Sequence, residues 1–239
     1  MNSYYHLITS RAVQQIATAA SLFIVNLACS SGFRLAVKRG TSILQPKHYI
    51  TETELLQDAY RLAVNVAKSG FRPTFIVGLW RGGSVVGIAV QECLQYLGIP
   101  TDHIAIRTSY RGLASYQQMV DNPEKEIRIH GTQYLLETLN HDDGLLIVDD
   151  VFSSGLTTSA VVNRLSSRLK NNTPADIRIA APWYKPARNR TTRKPDYFLH
   201  STDDWLVMPY ELSGLTHDEI SEYKPWMLPI LNSLDSEKP

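Results

Sequence analysis

Four consecutive apolar residues, Leu145-Leu146-Ile147-Val148, run straight into two carboxylates, Asp149-Asp150, and then into a Ser/Gly turn that opens a helical pattern from about Thr157 to Lys170. A strand without polar alternation is buried on both faces, and a strand that turns at once into a helix is the repeating unit of a parallel sheet. A second unit has the same form. The β-branched, apolar run Thr74 to Leu79 passes through Trp80-Arg81-Gly82-Gly83 into Val85 to Leu97 at helical spacing, and Gly98-Ile99-Pro100 closes it. Ahead of both lies a helix capped by Thr51 or Thr53, with Leu55, Leu56, Ala59, Leu62, Ala63 and Val66 recurring along it and Gly70 as its stop. His103 to Thr108 and Ile177 to Ala181 supply two further strands. The expected fold is α/β, a parallel sheet with helices on both faces. There is no internal repeat, and no linker rich in Gly, Ser or Pro divides the chain from Lys47 onward.

The 239 residues, 44% hydrophobic and 20% charged, suffice for one core with a small appended subdomain. A net charge of +1 excludes a global field that would recruit nucleic acid or an anionic membrane, so any anion must be held by a local site. Cys29 and Cys93 show neither disulfide nor zinc spacing, which fits a reducing cytoplasm. Residues 1–46 stand apart as an N-terminal extension, leaving 47–239 as the expected domain. Within the extension Arg11 precedes an apolar run, Ala12 to Ala28, that Gln14, Gln15, Thr18, Ser21 and Asn26 interrupt. It falls short of the ~20 apolar residues of a membrane span, and no membrane association is expected. Three readings of the extension stay open: a weak signal sequence, an amphipathic helix, or an upstream start ahead of a working protein that begins near Lys47.

Open α/β folds take their ligands at the carboxyl edge of the sheet, and Asp149 and Asp150 emerge there side by side. Ser153, Ser154, Gly155 and Thr157 follow in a turn just before a helix. Backbone N–H groups and hydroxyls converge at the positive end of that helix, which makes a cradle for phosphate. Carboxylates beside a phosphate repel it unless they bind its hydroxyls or a divalent cation that bridges it. Together these features point to a sugar phosphate with Mg²⁺. An isolated Asp-Asp would mean no more than a strand end; its place between a buried strand and a Ser-Ser-Gly turn carries the functional reading.

The segment Leu145 to Thr157 resembles the signature with which type I phosphoribosyltransferases bind 5-phosphoribosyl-1-pyrophosphate (PRPP). The resemblance implies that Asp149 and Asp150 meet the ribose hydroxyls and that Ser153, Ser154, Gly155, Leu156 and Thr157 hold the 5′-phosphate. Trp80-Arg81-Gly82-Gly83 is similar to the pyrophosphate loop of that family, which assigns Arg81, Gly82 and Gly83 to PRPP. Glycine admits a ligand close to the backbone and arginine supplies charge to an oxyanion. Arg107-Thr108-Ser109-Tyr110 resembles the root of the loop that closes over PRPP, placing Ser109 and Tyr110 at its hinge and Ser109 to Lys125 in the lid. Lys185-Pro186-Ala187 and the run Asp204 to Glu211 resemble stretches of bacterial xanthine–guanine phosphoribosyltransferases.

That likeness, which extends from about His48 to Leu212, implies a small base-binding hood from the C-terminal segment. Lys185 would donate to the 6-oxo group of a purine, Trp205 would stack on the ring, the backbone at Leu206 would meet the 2-position, and Glu211 would join Asp149 and Asp150 near the metal. A lysine donates to a carbonyl and not to an amino group, which favours 6-oxopurines over adenine. Without the resemblance, Lys185 reads as a solvated strand-end lysine and Trp205 as a core aromatic. Arg188, Arg190, Arg193 and Lys194 read as a solvated loop, and Thr216-His217-Asp218-Glu219 as the capping box of a last helix.

The implied protein is a cytoplasmic purine-salvage enzyme, a homo-oligomer (dimer or tetramer) acting on PRPP and a purine base, hypoxanthine first and guanine or xanthine next. One residue departs from the pattern. Enzymes of this kind carry an aspartate three residues after the second acid, close to N7 of the purine, and here that residue is Ser153. A serine hydroxyl hydrogen-bonds N7 but is no base at neutral pH. This keeps a second class of function in view, a PRPP- or nucleotide-sensing regulator on the same fold. The absence of a dense basic cluster argues against a regulator of nucleic acid.

Overall fold

The structure is a computed structural model that describes residues 47–110 and 127–233, with the side chain of Tyr110 left aside. These residues belong to one unit, Gln45–Pro239. The N-terminal extension and nearly all of the expected lid lie outside the described residues.

Chain order begins with strand β1 (Lys47–Tyr49), helix α1 (Glu52–Lys68), strand β2 (Phe75–Trp80), helix α2 (Gly82–Tyr96) and strand β3 (Asp102–Tyr110). Strand β4 (Ile127–His130), helix α3 (Gln133–Thr138), strands β5 (Gly144–Val148) and β6 (Val151–Phe152), and helix α4 (Leu156–Leu169) follow. Strands β7 (Asp176–Ala180), β8 (Trp183–Tyr184), β9 (His200–Ser201) and β10 (Trp205–Val207), then helices α5 (His217–Tyr223) and α6 (Met227–Asn232), complete the described fold.

The main sheet has five strands in the order β4-β3-β2-β5-β7. All pairs are parallel except β3 with β4. The expected α/β fold with its parallel sheet is therefore correct, with an antiparallel edge strand that the sequence reading lacked. Side chains alternate across the sheet. Ile76, Leu146, Val148 and Ala180 face the helices α1 and α2, packing with Leu62, Val66, Val86 and Leu94. Phe75, Val77, Leu79, Leu145 and Ile147 face the other way, against Leu135 of α3 and Val161 and Leu165 of α4. With both faces covered, every residue of β5 is buried, the physical reason for its unbroken apolar run.

Thr51, not Thr53, caps α1, in a full capping box with Glu54, and Thr216 and Glu219 form the same box on α5. Two smaller sheets stand beside the main one. One is β6-β8-β9; the other pairs β1 with β10 in parallel register, Lys47 opposite Trp205 and Tyr49 opposite Val207. The strands of the C-terminal segment expected to form a hood are thus not self-contained, since β10 pairs with β1 and β8 pairs with β6. Among the described residues, no helix is long and apolar enough to cross a membrane.

Candidate active site

From β2 the chain crosses through α2 to β3 on one side, while β5 pairs with β2 on the other side and leads through α4 to β7. The carboxyl ends of β2 and β5 therefore flank a switch point, where an open sheet leaves a crevice. Arg81, Gly82 and Gly83 lie at the end of β2, and Asp149 and Asp150 at the end of β5. Helix α2 begins at Gly82, three residues before the apolar periodicity suggests, so the two glycines form its first turn. Their lack of a side chain is what lets the halves of the site touch. A Cβ at Gly83 would overlap the Val148 carbonyl oxygen and lie 2.9 Å from Asp149 Cα, and one at Gly82 would overlap the Asp150 carboxylate and the Tyr210 hydroxyl. The Trp80–Arg81 peptide is cis.

Asp149 Oδ1 accepts the N–H of Asp150 at 3.0 Å, and Asp150 Oδ1 accepts the N–H of Val151 at 2.9 Å. Burial and the neighbouring Asp150 charge push the Asp149 carboxyl well above the usual carboxylate range. Beyond β6 the chain turns through Ser153 and Ser154 to Gly155, which caps α4 in the left-handed region at φ 72°. No side chain caps this helix; Ser154 Oγ accepts only the N–H of Leu156, at 3.3 Å. The N-terminal end of a 14-residue helix, with Thr157 in its first turn, thus opens beside the acidic pair.

The loop after residue 185, read from sequence as solvated, instead supports this turn. Arg190 N–H donates to the Ser154 carbonyl at 3.0 Å. The Asn189 and Thr191 side chains, bonded to each other at 2.9 Å, stand where a Cβ on Gly155 would point. Only the side chains Arg190 and Lys194 of its basic run are exposed; Arg188 and Arg193 are half-buried.

Lys185 is not a solvated lysine. It is 8% exposed, its N–H bonds the Phe152 carbonyl at 2.9 Å, and its ammonium donates to the Asp204 carbonyl at 2.5 Å. Burial, aided by Arg188, lowers its pKa from the ordinary lysine value. Lys185 is thereby joined to the residue before Trp205, which is half-buried in β10, while the Leu206 side chain enters the core. Glu211 is also half-buried. Burial raises its carboxyl and Asp150 adds to the rise, whereas the N–H of Met208, Arg81 and Lys224 act in the other direction.

Ser109 and Tyr110 continue β3 past Arg107, which is in register with Trp80, and pair with Arg128 and Ile127; Ser109 Oγ lies 3.1 Å from His130 Nε2. These two residues end β3. Two further groups stand out by their contacts. Tyr210 donates its hydroxyl to Asp150 Oδ2, and burial followed by the Asp150 charge pushes its pKa far above the ordinary phenol value. Lys224 is 4% exposed and donates to the carbonyls of Met208 at 2.8 Å and Pro209 at 2.7 Å. Tyr210 falls in the Asp204–Glu211 run that the resemblance covers, but only its contacts reveal its tie to Asp150, and Lys224, beyond that run, fits no pattern.

A family model of the phosphoribosyl transferase domain matches residues 49–214. No curated protein matches the chain. Among solved structures, a purine phosphoribosyltransferase from Pyrococcus horikoshii Ot3 is similar at 23% identity and a TM-score of 0.52, over 72% of this chain and 98% of that one. The hypoxanthine phosphoribosyltransferase of Trypanosoma cruzi, as a K68R mutant with the product IMP, is similar at 16% identity and 0.55, over 75% and 96%. A hypothetical protein from Neisseria gonorrhoeae with bound ppGpp gives 17% and 0.56, over 76% and 97%.

Proposed function

Given that this chain belongs to the phosphoribosyl transferase family, we propose that it joins a 6-oxopurine base to PRPP, with hypoxanthine as first candidate and guanine or xanthine as the others, and releases pyrophosphate. The observation that carries this reading is the close approach of the Arg81–Gly83 loop to the Asp149–Asp150 pair at one switch point, with the Gly155 turn before α4 next along the chain. The purine half rests on Lys185, a buried ammonium beside the Trp205 strand.

In this reading the turn Ser153 to Thr157 binds the 5′-phosphate through backbone N–H groups and hydroxyls. Asp149 and Asp150 accept ribose hydroxyls. Arg81 and the amides of Gly82 and Gly83 take the pyrophosphate, stabilising the negative charge that grows on it as the C1–O bond loosens. Lys185 and Trp205 align the base, so that its nitrogen faces C1. Mg²⁺ would be held by Asp149, Asp150 and Glu211 and, when bound, would neutralise charge on the leaving pyrophosphate. Among the described residues, no group of three or more His, Cys, Asp and Glu side chains is spaced to hold a metal by itself. Asp149, Asp150 and Glu211 therefore do not form such a group by themselves, and Mg²⁺ there would need oxygen ligands from the substrate phosphates and water besides. Ser153 hydrogen-bonds N7 without removing its proton, and a general base is typically worth ~10²–10⁴-fold in rate.

A second reading, a nucleotide-sensing protein on the same fold, draws on Ser153 and on the ppGpp bound to the similar Neisseria gonorrhoeae protein. Pyrophosphate release from PRPP with hypoxanthine, guanine, xanthine and adenine in turn separates the two. Turnover with a 6-oxopurine supports the transferase, turnover with adenine alone refutes the role of Lys185, and tight nucleotide binding without any turnover favours the sensor.

A further inference from the structure

The hydroxyl of Tyr210 reaches the middle of the crevice from the hood side. It donates to Asp150 Oδ2, and both oxygens sit above Gly82, where any side chain would strike them. The other carboxylate oxygen, Oδ1, already accepts the N–H of Val151. Asp150 is therefore held twice, once by its own turn and once by a residue 60 positions further along the chain.

Tyr210 itself sits on a fixed arm. The two residues before it, Met208 and Pro209, give their carbonyl oxygens to the buried Lys224 ammonium. An ammonium removed from water has to find such acceptors, and a carbonyl that accepts it loses its freedom to reorient. Lys224 is the C-terminal cap residue of α5, beyond residue 214, where the match to the family model ends. The Tyr210 ring packs against the apolar cluster that includes Leu55, Val86 and Ala89, and it borders a cleft of about 320 Å³. Packing locates the ring, Lys224 locates the backbone, and the hydroxyl is left to one task.

We propose that Tyr210 is a positioning residue for the ribose subsite, its hydroxyl fixing the Asp150 carboxylate in the orientation that accepts a ribose hydroxyl of PRPP. This rests on the reading that Asp150 meets the ribose. An ionised carboxylate offers about four lone-pair positions, so the phenol and Val151 leave acceptor capacity for the substrate. Phenylalanine at 210 keeps the ring and its packing but frees the carboxylate to rotate.

The test is steady-state kinetics of Tyr210→Phe in the full chain, with PRPP and hypoxanthine varied separately and thermal melting recorded alongside. The KM for PRPP should rise about 10-fold, the scale of one charge-assisted hydrogen bond, with kcat, the KM for hypoxanthine and the melting temperature nearly unchanged. Lys224→Met, which loosens the arm without touching Asp150, should move the same parameter in the same direction. An unchanged KM for PRPP overturns the proposal. A lowered one also overturns it, since the phenol would then compete with the ribose. A parallel loss in kcat, both KM values and melting temperature would reduce Tyr210 to a structural role. If the wild type neither binds PRPP by calorimetry nor releases pyrophosphate, the functional reading itself fails; a wild type that turns over beside a silent Tyr210→Phe refutes only the role of Tyr210.

Discussion

Replacing Lys185 with methionine removes the ammonium while keeping most of the volume of the stem. The side chain is 8% exposed, and its ammonium spends one donor on the Asp204 carbonyl. A lysine has three donors, so donors remain for a ligand carbonyl. A hydrogen bond from a charged group to its partner is worth ~1.5–3 kcal/mol, which sets the expected loss in kcat/KM for hypoxanthine and guanine at about 10- to 150-fold. Stability should change much less. Burial disfavours the charged form of Lys185, as the lowered pKa shows, so methionine relieves a desolvation cost that roughly offsets the lost bond to Asp204, within ~1 kcal/mol. The pKa also sets a pH window. A lysine whose folded pKa is depressed destabilises the fold where it is charged in both states, and the penalty is relieved as pH rises through the folded pKa toward the ordinary 10.5. The wild type should therefore gain stability relative to Lys185→Met as pH climbs toward 10. Pyrophosphate release with each base, paired with melting curves, measures both effects. Equal losses on adenine and hypoxanthine, or loss of activity in step with unfolding, would refute the assignment of Lys185 to the 6-oxo group.

Asp149→Asn with Asp150→Asn should abolish Mg²⁺-dependent PRPP binding and leave the fold intact; wild-type affinity by calorimetry would contradict the PRPP site. Ser153→Asp should raise kcat on hypoxanthine at neutral pH and add a carboxylate titration to the pH profile, and an unaltered profile would show that N7 needs no base here. At the surface, Lys47, 2.5 Å away, and the Thr216 N–H hold the Glu219 carboxyl down at about 2. Because that pKa is depressed, its stabilisation is complete above the ordinary value of 4.5 and is lost as pH falls through about 2. Melting curves of Glu219→Gln should thus be less sensitive to acid over that window.

The parts of the fold that were legible are those whose local pattern matches their final surroundings. β5 is apolar throughout because helices cover both faces, and the boxes at Thr51–Glu54 and Thr216–Glu219 close within one turn of chain. Strands of two or three residues such as β1, β8 and β10 have no periodicity to read, and β4 looks like any short polar-apolar stretch until β3 lies beside it. At the site, the acidic pair and the turn before α4 were visible because strand, acids and helix are contiguous. Asn189, Thr191 and Lys224 were not, nor was the bond from Tyr210 to Asp150, since each acts on residues remote in sequence. The burial of Lys185 belongs to the same class, since the carbonyl that takes its ammonium, that of Asp204, lies 19 residues further on.

The pairing of β1 with β10 imposes an order on biosynthesis. Lys47 waits for Trp205, and then for Glu219, 172 residues downstream. At a synthesis rate of about 5–20 residues per second, this strand stays unpaired on the ribosome for about 10–30 s. Its brevity and its Lys47 and His48 make it a poor template for edge-to-edge aggregation during that delay. The five strands of the main sheet are complete once Ala180 has emerged, so the acidic pair and the turn before α4 exist before β10 pairs with β1. A polypeptide released near residue 200 would carry the acidic pair and the turn before α4 without Trp205, Tyr210 or Glu211, and β1 would still lack its partner strand.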